Sequence, residues 1–94
     1  MTMYTIIMEW DSGTYIWQAH GQTVPQAINR WVEQLDVALI PGMGPKAKIQ
    51  LAAEIADEKA VPIRGVTNVW CYCPSPLGKL ALVNVVRTDP EVSE

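Results

Sequence analysis

Residues 20–27, His-Gly-Gln-Thr-Val-Pro-Gln-Ala, constrain the fold most, because an alternating strand pattern ends there and a helical pattern begins. Thr23 and Gln26 have the Thr-x-x-Gln spacing of a capping box. In such a box the Thr23 hydroxyl accepts from the amide of Gln26, and the Gln26 side chain reaches back to the amide of Thr23. Pro25 falls in the first turn, where a missing N–H costs no hydrogen bond. This segment therefore predicts a helix start, and its residues are explained by structure.

Upstream of the junction, strand patterns at 3–10 and 14–19 indicate a β-hairpin. A two-residue turn at Ser12 and Gly13 segregates the apolar side chains on one face, whereas a three-residue loop mixes the faces. Gly13 would supply the positive φ of that turn. The predicted register pairs three couples on the apolar face: Trp10 with Tyr15, Met8 with Trp17, and Ile6 with Ala19.

Downstream of the junction, two amphipathic patterns predict two helices, separated by a turn rich in glycine and proline at 40–45. The first helix should run from Val24 to about Leu39. Its predicted buried stripe is Val24, Ala27, Ile28, Trp31, Leu35 and Leu39. The second helix should run from Lys46 to Lys59, with a stripe of mostly small residues that Leu51 and Ile55 widen: Ile49, Ala52, Ala53, Ala56 and Ala60. Acidic residues at its C-terminal end oppose the helix dipole, so we expect fraying there.

The remaining segments predict a connector at 61–65 and a second hairpin, with arms at 66–73 and 79–87 around the turn at 74–78. The resulting order is β-β-α-α-β-β. It predicts an α+β two-layer sandwich, in which both helices cover one face of a four-stranded, mainly antiparallel sheet. We expect a single domain over residues 1–88 and an acidic, disordered tail over 89–94.

The charge pattern disfavours nucleic acid as a partner. The chain has 94 residues and a net charge of −3, and its seven basic residues are scattered, whereas a phosphate backbone requires several cations on one face. No apolar run reaches the ~20 residues of a membrane span, and the N-terminus lacks the basic region of a signal peptide. We therefore expect a cytoplasmic protein with no membrane association.

The candidate chemical groups are few. His20 is the only histidine, and no nucleophile or carboxylate lies near it in sequence, so we expect no enzymatic activity. Cys71 and Cys73 should lie ~6.5–7 Å apart on one strand face, which is unsuited to a disulfide and indicates reduced, packed thiols. With His20 they offer at most three metal ligands, whereas structural zinc takes four. A catalytic zinc would need only three, but it requires His20 near the third strand. We expect no metal and no cofactor.

Two binding surfaces are conceivable. Gly44 and Lys46 open the second helix, where free amides can hold an anion weakly, although the segment matches neither common phosphate-binding motif. The near-continuous apolarity of the second hairpin suggests a strand covered on both faces, hence a central strand or one at an interface on the sheet face that the helices leave uncovered. Four residues form the predicted interaction surface on that face: Trp70, Tyr72, Ile16 and Gln18.

Two resemblances accompany these patterns. Residues 4–35 resemble HicB-like antitoxin domains in the order Tyr-Thr-Ile-Ile-x-Glu, Gly-Thr-Tyr and Gly-x-Thr-x-x-x-Ala. Gly21, Thr23 and Ala27 match that family's helix start, and Gln26 replaces its acidic residue. Most of the chain is similar to small, uncharacterised bacterial α+β proteins, through Gly-Thr-Tyr-Ile-x-Gln at 13–18 and Asn-Val-Trp-Cys at 68–71. The second resemblance implies a fold and a bacterial cytosolic setting.

Three functional hypotheses follow from the sequence. The first is a small binding or assembly module that self-associates through a sheet edge or face, or that binds another protein. The second is an antitoxin or another nucleic-acid-associated regulator, as the first resemblance implies. The third is a small-molecule binder, which would require a polar pocket that contains His20 or Cys71.

Overall fold

A computed structural model describes residues 2–89 of the chain. It is an α+β structure with two α-helices and one antiparallel sheet. The strands are β1 (Thr2–Trp10), β2 (Gly13–Gly21), β3 (Val61–Pro62), β4 (Val69–Tyr72) and β5 (Ala81–Arg87). The helices are α1 (Val24–Gln34) and α2 (Pro45–Asp57), and 3₁₀ turns occur at Val37–Leu39 and Pro76–Gly78.

The sheet has five strands in the order β2-β1-β5-β4-β3, so the prediction of four strands was wrong. The additional strand, β3, lies in the segment predicted to be a connector. Val61 pairs with Cys71 and Pro62 pairs with Trp70. Proline is compatible with an edge strand because its missing N–H faces away from the sheet. Strands β1 and β5 are the first and last strands in the chain, and they pair with each other inside the sheet. This pairing joins the two predicted hairpins.

The register of the first hairpin differs by two residues from the predicted one. Trp10 pairs with Gly13 and Met8 pairs with Tyr15. The turn therefore consists of Asp11 and Ser12, and both have positive φ values of 47° and 68°, as a type I′ turn requires. A shift of two residues preserves the side-chain faces, so the predicted apolar face is confirmed although its pairs were wrong.

Gly13 has a steric role that was not predicted. The ring of Tyr15 occupies the space beside the Gly13 Cα atom, and its Cζ atom would lie 2.7 Å from a Cβ atom there. Gly13 is absent from the residues with positive φ, so the prediction that it supplies this conformation was wrong. Its missing side chain instead provides room for the Tyr15 ring.

The junction between β2 and α1 is a capping box. The Thr23 hydroxyl accepts a hydrogen bond of 3.3 Å from the amide of Gln26. The Gln26 side chain accepts from the amide of Gln22, one residue before the predicted donor. Gly21 lies against the first turn of the helix, where a Cβ atom would be 2.6 Å from the Ala27 nitrogen. Helix α1 therefore begins at Val24, as predicted.

Helix α1 is shorter than predicted because the chain becomes extended at Leu35. A separate 3₁₀ turn follows, and the Asp36 carboxylate caps it by accepting 3.0 Å from the amide of Ala38. Leu35 is buried, but Leu39 is 63% exposed. Leu39 is therefore not part of the buried stripe, and the prediction was wrong for that residue.

Helix α2 buries the side that Leu51 and Ile55 add to the predicted stripe, so the prediction is right for these two residues. Ala52 and Ala60 are partly buried against the core. The prediction was wrong for Ile49, Ala53 and Ala56, which are exposed. Ala47, Leu51 and Ile55 are buried at four-residue steps, whereas Ile49 is 70% exposed. This orientation buries two large aliphatic side chains, and each contributes about 1.5–3 kcal/mol when it is removed from water. The orientation of α2 is therefore set by the burial of large aliphatic side chains rather than by the closer approach that small residues allow.

Both helices pack on the same face of the sheet, as predicted. Their buried side chains join those of the strands in one core. Alternate residues of β1 belong to it: Tyr4, Ile6, Met8 and Trp10. Side chains of opposite parity point to the other side of the sheet, which we call the open face. The open face consists of the following residues, given strand by strand: Met3, Thr5, Ile7 and Glu9 of β1; Thr14, Ile16, Gln18 and His20 of β2; Val61 of β3; Val69 and Cys71 of β4; and Leu82, Asn84 and Val86 of β5.

The described chain ends beside the start of β1. Asp89 accepts a hydrogen bond of 3.0 Å from the amide of Met3 and forms an ion pair of 2.9 Å with Arg87. The folded region thus reaches one residue past the predicted domain boundary, and the rest of the predicted tail, 90–94, lies outside the described residues. No helix within residues 2–89 has the length and apolarity needed to cross a bilayer.

Candidate interaction surface

The four residues of the predicted interaction surface lie on two faces of the sheet. Tyr72 is 1% exposed and belongs to the core under the helices. Trp70 is half-buried on the same side, and its ring meets Tyr4 edge-on with centroids 6.1 Å apart. Ile16 and Gln18 lie on the open face. The prediction was therefore wrong for Trp70 and Tyr72, because β4 presents its aromatic residues to the helices.

The open face carries apolar side chains at its centre and at both edges. One row of paired residues crosses all five strands: Ile16, Ile7, Asn84, Cys71 and Val61. The two ends of this row are the most exposed of its aliphatic residues, with Ile16 at 64% and Val61 at 61%. Gln18 is held in place by a hydrogen bond of 3.2 Å to the Thr5 hydroxyl. The face thus combines exposed aliphatic groups with fixed polar groups.

Strand β2 forms one edge of the sheet and is long and unprotected. Its nine residues include neither proline nor any Asp, Glu, Lys or Arg, which are residues that commonly prevent edge pairing. Since the two-residue turn makes Trp10 and Gly13 a hydrogen-bonded pair, the backbone of every second residue from Gly13 faces β1. The backbone groups of Thr14, Ile16 and Gln18 therefore point outward from the sheet.

Two contacts agree with this assignment. The guanidinium of Arg30 donates a hydrogen bond of 3.1 Å to the carbonyl of His20, the next residue in the outward series. On the neighbouring strand, the carbonyl of Met3 accepts from Thr88, on the β5 side. Helix α1 thus covers only one end of the β2 edge, near His20.

The opposite edge is protected by its own structure. Strand β3 has two residues, and one of them is Pro62. Short edge strands and proline both prevent pairing with another chain. The two edges of this sheet therefore differ in their capacity to accept a further strand.

Cys71 and Cys73 approach each other more closely than predicted. Their Sγ atoms lie 3.6 Å apart, and both thiols are free. Cys73 follows the last residue of β4 and precedes Pro74, and a residue before proline is restricted in its backbone conformation. The predicted ~6.5–7 Å is the spacing of the two backbone positions along a strand, whereas the side chains of Cys71 and Cys73 bring their sulfur atoms closer together.

The surroundings of Cys71 disfavour its thiolate. Burial, the neighbouring Cys73 and the carboxylate of Glu58 raise the pKa of Cys71 to about 11. His20 lies on β2, three strand spacings or ~14 Å across the sheet from β4. His20 and the two cysteines therefore do not form a common site, which excludes the three-ligand zinc arrangement considered from the sequence.

Two side chains of α2 and the side chain of its C-cap residue, Glu58, hold the segment between β4 and β5. The Glu58 carboxylate accepts a hydrogen bond of 3.0 Å from the amide of Cys73. The other two bonds run from Ser75 to Glu54, at 3.0 Å, and from Leu77 to Gln50, at 2.7 Å. The acidic end of α2, for which we predicted fraying, therefore has partners in the tertiary structure.

Gly44 and Lys46 lie at the start of α2, as predicted. Gly44 is the N-cap residue, and no side chain provides the capping hydrogen bond there. The space beside Gly44 is open, with no heavy atom within 4 Å of a Cβ atom placed on it. The geometry is compatible with a weak anion site, which stays a prediction.

Most of the basic side chains have partners within the chain. Lys48 donates to the carbonyls of Glu33 and Leu35 at the end of α1. Lys79 forms an ion pair of 3.2 Å with Asp11. With Arg30 and Arg87, four of the seven basic residues therefore contact groups of the protein itself.

The described part of the chain has surface cavities, including the following two. One of about 360 Å³ lies beside the first hairpin turn, between Glu9, Asp11 and Leu80. Another of about 340 Å³ lies between the helices and is lined by Val32, Lys48 and Ile49. Neither of these two cavities is lined by His20 or Cys71, so neither is the polar pocket that the small-molecule hypothesis requires.

Comparisons with protein-family models, with curated proteins and with solved structures found no match to this chain.

Proposed function

We propose that the chain is a small cytosolic assembly module that pairs with a second copy of itself along strand β2. The observation that carries this proposal is the nine-residue edge, which has outward backbone groups and no protecting charge or proline. An exposed edge of this kind binds an extended strand through main-chain hydrogen bonds.

A second copy of β2 is a suitable occupant because the edge is complementary to itself. Two antiparallel copies, related by a two-fold axis, would bring identical outward groups into register around Ile16. Each N–H and C=O of Thr14, Ile16 and Gln18 then meets a partner on the other copy. The sheets of both copies would become one continuous sheet.

Side chains on the open face add to the main-chain bonds. Ile16 is 64% exposed in the single chain. The antiparallel contact would place it directly opposite Ile16 of the second copy. Cross-strand pairs of β-branched residues contribute about 0.2–1 kcal/mol each. Thr14 and Gln18 flank Ile16. Both are polar, so this edge is also compatible with a monomer in which β2 is exposed to water.

The test is the mass of the protein in solution, measured by sedimentation equilibrium at several concentrations. We expect the wild-type protein to shift from monomer to dimer as concentration rises. The substitution Ile16→Lys places a charge on the edge strand and should leave a monomer, because two such charges would face each other across the dimer axis. Because Ile16 is exposed in the single chain, the substitution should leave the monomer folded.

Ile49→Lys is the matched control, since Ile49 is equally aliphatic and is 70% exposed on α2. This variant should dimerise as the wild type does. A wild-type protein that stays monomeric at high concentration would contradict the proposal. Equal dimerisation of both lysine variants would show that the copies meet elsewhere.

A further inference from the structure

We propose that Cys71 and Cys73 form a chelating pair of thiols for a soft monovalent cation, Cu(I). Three observations carry this inference: the sulfur atoms are 3.6 Å apart, neither is in a disulfide, and the Cys73 side chain is exposed. The site lies at the end of β4, three strands away from the edge on which the proposed dimer rests.

The distance between the sulfur atoms suits a shared metal ion. Metal–sulfur bonds in thiolate sites are about 2.3 Å long, so two collinear bonds separate the sulfurs by about 4.6 Å. The observed 3.6 Å corresponds to an angle of about 100° at the metal. Opening to a linear arrangement requires about 1 Å of additional separation. Rotation of the exposed Cys73 side chain can provide this movement without a change in the core.

The identity of the cation follows from the number and softness of the ligands. Thiolates select soft ions such as Cu(I) among the biological metals. Structural zinc takes four ligands, whereas Cu(I) is satisfied by two thiolates. Binding would form two Cu–S bonds and release the two thiol protons to water, and the copper would stay in its monovalent state throughout.

Nearby groups favour a cation and fix the geometry. The Glu58 carboxylate lies beside the site and accepts the hydrogen bond from the Cys73 amide, which holds the backbone of one ligand. Glu58 also acts electrostatically on Cys71. The neighbouring residues in the row, Asn84 and Val61, are uncharged. Glu58 is therefore the formally charged side chain that acts on Cys71, and its negative charge favours a cation there.

The test is a competition for Cu(I) under anaerobic conditions, with the reduced full chain and the chromogenic chelator bicinchoninate. We expect the wild-type protein to withdraw one equivalent of Cu(I) per chain and to develop an ultraviolet thiolate-to-copper absorption band. Cys71→Ser and Cys73→Ser should each lose the band and weaken binding at least tenfold. Circular dichroism establishes that both variants are folded.

Met3→Leu is the matched control, because Met3 is another sulfur-containing residue on the open face but not a proposed ligand. This variant should bind Cu(I) as the wild type does. The proposal is overturned if the wild type withdraws no copper, or if binding survives in both serine variants. A loss in Met3→Leu that equals the loss in Cys73→Ser would also overturn it.

A second measurement tests the chelate without copper. Phenylarsine oxide condenses with two thiols to form two As–S bonds, and one water leaves. We expect the wild-type protein to add one phenylarsenic group and to become protected from maleimide at both cysteines, as mass spectrometry would detect. If each cysteine of the arsenical-treated protein still reacts with maleimide, the sulfurs do not reach a common centre and the proposal fails.

Discussion

The carboxylate of Glu54 accepts a hydrogen bond of 3.0 Å from the backbone amide of Ser75. This bond is the middle one of three that α2 and its C-cap residue, Glu58, make with alternate residues of the segment after β4. Four residues of a helix rise about 6 Å, and two residues of an extended chain span about 6.6 Å. Acceptors at a four-residue step therefore meet the amides of Cys73 and Ser75 at a two-residue step, and the third donor, Leu77, lies in the 3₁₀ turn that follows.

Glu54→Ala should release the middle of this segment. We expect the unfolding free energy to fall by about 1 kcal/mol, because the Ser75 amide loses its protein acceptor. Hydrogen exchange at the Ser75 amide should become faster, whereas the central strands should be unaffected. Chemical denaturation and amide exchange measured by NMR check both effects.

Asp57→Ala is the control for the loss of an acidic side chain from α2. Asp57 is exposed and lies on the same helix. Its replacement should leave the exchange rate at Ser75 unchanged. Equal acceleration of Ser75 exchange in both variants would indicate a general loss of helix stability rather than the loss of one bond.

Gly21→Ala should destabilise the junction between β2 and α1. A Cβ atom would lie 2.6 Å from the Ala27 nitrogen, and relief of such a contact requires a backbone shift that costs about 1–3 kcal/mol. Gly44→Ala places the same methyl group at the start of α2, where no heavy atom lies within 4 Å. There we expect a change below about 1 kcal/mol. Urea denaturation of both variants tests this difference, and equal losses would contradict it.

Ser12→Gly should stabilise the first hairpin. Ser12 has a φ of 68°, and the left-handed conformation costs a residue other than glycine about 1–2 kcal/mol. Glycine also raises the conformational entropy of the unfolded chain, which offsets part of this benefit. We therefore expect the unfolding free energy to rise by about 0.5–1 kcal/mol. Ser75 has a φ of −133°, so Ser75→Gly should be destabilising. A thermal denaturation series would refute the assigned turn if Ser12→Gly lowered the melting temperature as much as Ser75→Gly.

Asp89 should contribute to stability only while its carboxyl group is ionised. The amide of Met3 and the side chain of Arg87 hold the pKa of Asp89 below its ordinary value. Since the folded-state pKa is the lower one, this contribution is present above the ordinary pKa and is lost as pH falls through the folded-state pKa. Asp89→Asn should therefore show a shallower decline in stability at acidic pH than the wild type.

The carboxyl titration of Asp89 can also be followed directly by NMR. We expect a midpoint below the ordinary aspartate value, and a shift back toward that value in Arg87→Gln. A wild-type midpoint at or above the ordinary value would show that neither the Met3 amide nor Arg87 stabilises the ionised form.

The sequence patterns predicted side-chain faces better than residue pairs. The alternation of apolar residues around Trp10 identified the covered face of β1 and β2 correctly. It could not select between registers that differ by two residues, because both place the same side chains on that face. The choice depends on the turn, where Asp11 and Ser12 adopt positive φ values that glycine would adopt more easily.

The parts that were wrong depend on tertiary context. The orientation of α2 reflects competition between two apolar stripes, and the sequence contains both. Strand β3 has two residues, too few for a periodic pattern, and Pro62 is typical of a connector. The 3.6 Å between the sulfur atoms of Cys71 and Cys73 depends on side-chain rotamers, which the spacing of the two residues does not specify. Periodicity specifies faces, whereas ends, registers and rotations follow from packing.

The inequality of the two sheet edges limits what the proposed pairing can build. A chain with two receptive edges can add copies without end, as fibrils do. Strand β2 can accept a neighbour, but β3 is short and contains a proline. Once the two β2 strands are paired, each end of the combined sheet is a β3 strand, which is protected from further pairing. Growth would therefore stop after one addition, and rising concentration would increase the number of pairs and not their length.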